Sequence, residues 1–138
     1  MPALITSAFD SSTTQLIAPL EPPAGAEAKA GARSSLTGNG ADLYRVYWGR
    51  RKGRLVCTVT GGGINHQSVV IVTASEGDES NSTASPQRFI GAADFTVTGI
   101  APFDGGVRFA VQIGWDDPIP LWTDIIVMDG FPQGFVRA

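Results

Sequence analysis

Apolar and polar residues alternate with period two along two neighbouring stretches of the chain. In ADFTVTGI (93–100), Phe95 and Val97 fall on one face and Thr96 and Thr98 on the other. In GVRFAVQIGW (106–115), Val107, Phe109, Val111 and Ile113 stand opposite Arg108, Gln112 and Gly114. That period belongs to half-buried strands, and the PFDGG turn at 102–106 predicts that the two pair as an antiparallel hairpin. LYRVYWG (43–49) and RLVCTVTG (54–61) are rich in β-branched and aromatic residues, and the intervening RRKG reads as a hairpin loop with Gly53 at positive φ. SVVIVTAS (68–75) has an unbroken apolar middle, which predicts a strand covered on both faces. In LWTDIIVMD (121–129), Leu121, Thr123, Ile125 and Val127 share one face, leaving Trp122, Asp124, Ile126 and Met128 on the other.

These segments give about six strands from Leu43 onward, or up to eight if LITSAF (4–9) and RFI (88–90) pair in. Turn signals recur at short intervals and no helical period intervenes, so the predicted fold is an all-β, antiparallel β-sandwich of Ig-like or jelly-roll-like type. Residues 10–42 are different. Leu16, Ile17, Leu20 and Leu36 are their only large apolar anchors, and a helix over 24–32 would carry Gly25 and Gly31 at about 1 kcal/mol each. The expected organisation is therefore an N-terminal strand and a Gly/Ala/Pro-rich, mobile or surface-lying arm over 1–42, followed by a sandwich core over 43–138.

Composition fits this picture. The 138 residues are 43% apolar and include 7 Phe, 3 Trp and 2 Tyr, enough for one core but not for two large domains. The net charge of −3 has the wrong sign for general attraction to nucleic acid. One cysteine, Cys57, excludes an internal disulfide framework. The opening MPALITSAFDSS has neither a basic n-region nor an apolar core, and no apolar run approaches the roughly 20 residues of a spanning helix. The expectation is a chain that is cytoplasmic, or released without a classical signal peptide, and has no membrane partner. Asn81-Ser82-Thr83 is a formal glycosylation sequon, read here as a polar loop.

Candidate chemistry is sparse. The chain has one histidine, His66, in the Gly-rich GGGINHQS, and a Cys57/His66 nucleophile pair is the enzyme reading it allows. Cys57 lies mid-strand, where a thiol is ordinarily a small buried hydrophobe, and no GxSxG, HExxH or P-loop is present. The chain is therefore read as non-catalytic. Asp104, Asp116, Asp117, Asp124 and Asp129 supply hard oxygen ligands that suit Ca²⁺, yet Asp beside Gly or Pro is ordinary turn chemistry, so no cofactor is expected beyond that one ion. Arg50, Arg51, Lys52 and Arg54, flanked by Tyr44, Tyr47 and Trp48, form a basic tip, read as a solvated turn.

The remaining signal is aromatic. Trp115, Trp122, Phe131 and Phe135 make an aromatic surface near the C-terminus, interleaved with Asp116, Asp117 and Asp124, in which Trp115 and Trp122 offer rings on which the apolar face of a sugar could stack beside hydroxyl-accepting carboxylates. Together with Asn65, His66 and Asp104, the residues Trp115, Asp116, Asp117, Trp122 and Asp124 are the expected ligand-binding residues of a lectin-like module for carbohydrate or another small polar ligand, acting through the loops at 61–67, 102–106 and 115–124. The rival reading is a structural or assembly subunit (shell, sheath or virion decoration protein), whose N-terminal arm and FPQGF tail (131–135) contact neighbouring copies. Either reading makes a homo-oligomer the expected state.

Overall fold

Alternation at period two resolves into two stacked sheets. The computed structural model describes residues 13–20, 40–79, 87–128 and 132–138. These contain no helix, hence none long and apolar enough to cross a membrane. The strands are β1 (Thr14–Leu20), β2 (Ala41–Arg51), β3 (Gly53–Gly61), β4 (Val70–Gly77), β5 (Arg88–Phe89), β6 (Asp94–Phe103), β7 (Gly106–Gly114) and β8 (Ile119–Met128). The first sheet has the order β1-β3-β7-β6 and the second β2-β8-β4-β5. All neighbours are antiparallel except β1, which runs parallel to β3 from Thr14 opposite Leu55 to Leu20 opposite Gly61. The chain is thus an all-β sandwich, as the pattern predicts.

The core lies between the sheets and follows strand parity. Leu55, Cys57 and Val59 of β3 and Val107, Phe109, Val111 and Ile113 of β7 face Leu121, Ile125 and Val127 of β8, and none exceeds 1% exposure. Burying each large member contributes about 1.5–3 kcal/mol. Thr123 shares this inward face and is fully buried, its hydroxyl oxygen accepting a 2.8 Å hydrogen bond from the Trp48 indole nitrogen. Trp48 in turn meets Phe109 edge-on across the core, with ring centroids 6.4 Å apart. The hairpin joining β6 and β7 forms as expected, and RFI (88–90) contributes the two-residue β5.

Three expectations need correction. First, β2 and β3 are not a hairpin. The only residue between them is Lys52, yet β2 bonds β8 while β3 bonds β1 and β7, so the chain crosses from one sheet to the other. Trp48 and Leu55 then meet in the core from opposite sheets. Alternation identifies a strand's buried face without saying whether the next strand lies beside it or across the core. A register shift in β2 between Tyr47 and Arg50 accompanies the crossing, and Gly53 does take positive φ (73°). Second, β4 is covered on one face only: Val72 is buried while Ile71 is 46% exposed. Third, part of the supposed arm is regular strand. Leu16, Ala18 and Leu20 of β1 pack against the core, and β2 already begins at Ala41, with Asp42 buried. The strand over 4–9, the segment 21–39, the sequon at 81–83, Asp129 and Phe131 lie outside the described residues.

Candidate functional site

Register places the outward residues of the second sheet in three rows across β2, β8 and β4. Leu43, Ile126 and Ile71 form an apolar row; Arg45, Asp124 and Thr73 a charged row; Tyr47, Trp122 and Ser75 an aromatic row. The charged row is tied together by Asp124. Its Oδ1 accepts from Arg45 Nε at 2.6 Å and from Arg88 Nη2 at 3.1 Å, while Arg88 Nη1 donates to the Ser75 hydroxyl at 2.7 Å. Burial opposes ionisation of Asp124, but the hydrogen bonds and charges of Arg45 and Arg88 outweigh it and hold the carboxyl below the usual carboxylate range.

Trp122 is covered by its own sheet. The Tyr47 ring stacks on the indole with centroids 4.7 Å apart, Arg88 lies 5.8 Å from the ring centre, and the indole nitrogen donates to the Asp78 carbonyl at 3.0 Å. Gly77 makes this approach feasible, because a Cβ there would stand 2.8 Å from Trp122 Cδ1. At 5% exposure the indole offers no free ring face to a ligand.

At one end of the sandwich the β3–β4 and β6–β7 turns are locked together. Gly61, Gly62 and Gly63 all have positive φ (94°, 68° and 69°), a run that only glycine adopts without strain. The Gly61 amide donates to the Gly105 carbonyl and the Gly105 amide to the Ile64 carbonyl, at 2.8 and 2.9 Å. The following turn closes on itself: the Asn65 amide donates to the Ser68 hydroxyl oxygen, and Asn65 Oδ1 accepts from the Gln67 amide. Asp104 Oδ1 accepts from the His66 amide at 3.0 Å and lies 2.7 Å from His66 Nδ1. Hydrogen bonds from the His66 ring and amide hold the Asp104 carboxyl below its ordinary range. An ionised carboxylate can only accept, so Nδ1 carries the hydrogen, and in the neutral ring Nε2 becomes an outward acceptor. Beside this turn, an open cleft of about 610 Å³ runs between His66–Val69 and Pro132–Phe135.

The expected ligand-binding residues therefore fall in three places. Asn65, His66 and Asp104 come together at one end. Trp115, Asp116 and Asp117 lie at the opposite end, between Gly114 and Ile119, so the loops at 61–67 and 102–106 are not joined by the 115–117 loop. Trp122 and Asp124 sit within the outer face of the second sheet. Asp104, Asp116, Asp117 and Asp124 are correspondingly dispersed, and among the described residues no three His, Cys, Asp or Glu side chains converge to hold a metal. The basic tip is split as well. Arg50 donates to Glu79 and to the Pro118 carbonyl, Arg51 donates to the Trp48 carbonyl, Trp48 points into the core and Tyr47 lies on the outer face. Cys57 is fully buried in β3, where burial pushes its thiol up to about 12, whereas His66 stands in the exposed end turn, so the two do not form a pair.

Phe135 belongs to the aromatic surface expected near the C-terminus and Gln67 to the 61–67 loop, but their meeting with Gln133 beside the His66 turn, and the joining of Leu43 and Ile71 to Ile126 in one apolar row, are not in the sequence pattern. The apolar row had a legible signal: Ile71 falls opposite in parity to Val70 and Val72, so one side of β4 always needed a separate cover. No protein-family model, curated protein or solved structure matches this chain.

Proposed function

We propose that this chain is a self-associating assembly subunit, whose second sheet docks face to face on the second sheet of another copy. The observation that carries this reading is the apolar row Leu43–Ile126–Ile71, extended at its end by Met128. Leu43 is 51% exposed, Ile71 46% and Met128 40%, and Ile126 between them is half-buried. A contiguous apolar patch of this kind on a soluble fold marks an interaction surface.

Two features favour a second copy as the occupant. The row is presented by three adjacent strands in register, so it is broad and shallow, and a sheet face of that form is complementary to its own two-fold mate. The charged row beside it is tied up within the chain by the Arg45–Asp124 and Arg88–Asp124 pairs, at 2.6 and 3.1 Å, which leave one net positive charge. Each of its three charged groups is engaged within the chain, so an identical surface bordering it meets one residual positive charge rather than free ions.

The experiment is charge insertion with a control on the other sheet. Ile71→Asp and Leu43→Asp should return the chain to a monomer in sedimentation velocity while leaving its circular dichroism unchanged. Ile17→Asp, at a residue 73% exposed on the first sheet, should leave association intact. An Ile71→Asp chain that keeps the oligomeric mass of the parent would refute the proposal.

A further inference from the structure

The cleft at the end of the sandwich meets the apolar face at Val69, whose carbonyl accepts from the Met128 amide at 3.0 Å, and beyond that residue its chemistry is different. Its floor is the turn at 65–68, whose internal hydrogen bonds use backbone amides, the Asn65 carboxamide oxygen and the Ser68 hydroxyl oxygen. What the turn leaves over points to a ligand. His66 is fixed through Nδ1 by Asp104, so Nε2 is held outward with no partner among the described residues, and the carboxamides of Gln67 and Gln133 have none either. Opposite them stands Phe135, 79% exposed, with the Arg137 guanidinium 5.4 Å from its ring centroid. The cleft volume of about 610 Å³ falls in the range of small-ligand sites, about 300–1,000 Å³.

We propose that this cleft binds a neutral oligosaccharide, with Phe135 stacking on the C–H face of one sugar ring and Gln67, Gln133 and His66 Nε2 exchanging hydrogen bonds with its hydroxyls. Carboxamides both donate and accept, which suits a hydroxyl that does the same. An aromatic ring supplies the apolar face that a pyranose needs. The lining residues, His66–Val69 and Pro132–Phe135, include no Asp, Glu, Lys or Arg, so the cleft has no excess charge with which to select an anion. The ligand is therefore distinguished from a phosphate or a sulfated glycan by being neutral.

The test uses the full chain labelled with ¹⁵N and titrated with neutral chito-, cello- and galacto-oligosaccharides to millimolar concentration, with sulfated dextran as the charged comparison. At least one neutral oligosaccharide should shift the amides of His66–Ser68 and Gln133–Phe135 and leave those of 115–117 unmoved. Its affinity should change little between low and physiological salt. Phe135→Ala and Gln67→Ala should each weaken binding about ten-fold or more without altering the oligomeric state. Any one of three results would overturn the proposal: no response to any neutral sugar, a response confined to sulfated dextran, or binding that survives Phe135→Ala.

Discussion

The phenol ring of Tyr47 lies stacked on the indole of Trp122, with centroids 4.7 Å apart and planes inclined by 27°. Both residues point away from the core, yet the stack buries Trp122 as fully as an inward residue. Trp122→Ala should accordingly behave as a core truncation, costing about 3–5 kcal/mol in chemical denaturation. Equal stability of the variant and the parent would show that the stack does not hold the second sheet.

Gly77 supports the same stack from below. A Cβ at this position would meet Trp122 Cδ1 at 2.8 Å and Nε1 at 3.1 Å. Gly77→Ala should displace the indole, destabilise the chain by about 1–3 kcal/mol and shift tryptophan emission to the red. Unchanged emission and stability would contradict the packing described.

The charged row predicts an acid limb in the stability profile. Asp124 has a folded-state pKa below the ordinary carboxylate value. Its contribution is therefore complete above the unfolded pKa, near 3.9, and is lost as pH falls through the lower folded value. Thermal midpoints should hold from neutral pH to about pH 5 and fall below about pH 4. In Asp124→Asn the midpoint at neutral pH should be lower and the acid decline shallower, though not abolished, because Glu79 and Asp104 are also held below their usual values. A variant whose acid limb runs parallel to that of the parent would remove Asp124 from this role.

Cys57 reports on opening of the core. The thiol is 0% exposed and pushed up to about 12 by burial, against a smaller opposing pull from Arg51. Modification by an aromatic disulfide reagent at pH 8 should be orders of magnitude slower in the native chain than in denaturant, at a rate set by global opening. Reaction within seconds under native conditions would place Cys57 outside the core.

Parity was the most legible feature of the sequence. It assigned the buried faces of β7 and β8 correctly down to Thr123, and it placed Trp122 on the opposite face. What covers Trp122 was not legible, because Tyr47 and Gly77 reach it through strand order and register, which alternation does not encode. The same gap explains the mistaken hairpin at 43–61, where both strands form but turn their buried faces toward each other across the core. β1 was hidden by Pro19 and its polar flanks, although the alternation of Leu16, Ala18 and Leu20 is a strand signal. The candidate site suffered most, since the end of the sandwich on which a loop falls depends on strand direction. Trp115 and His66, members of one expected site, lie at opposite ends.

The claim that the apolar row of the second sheet is a contact between copies is tested most directly by the molar mass of the unmodified chain, measured by light scattering across a hundred-fold concentration range. The chain mass is 14.5 kDa. Face-to-face docking gives twice that value or a higher multiple at the upper concentrations, declining toward the monomer on dilution. A mass that stays at that of one chain throughout would contradict it.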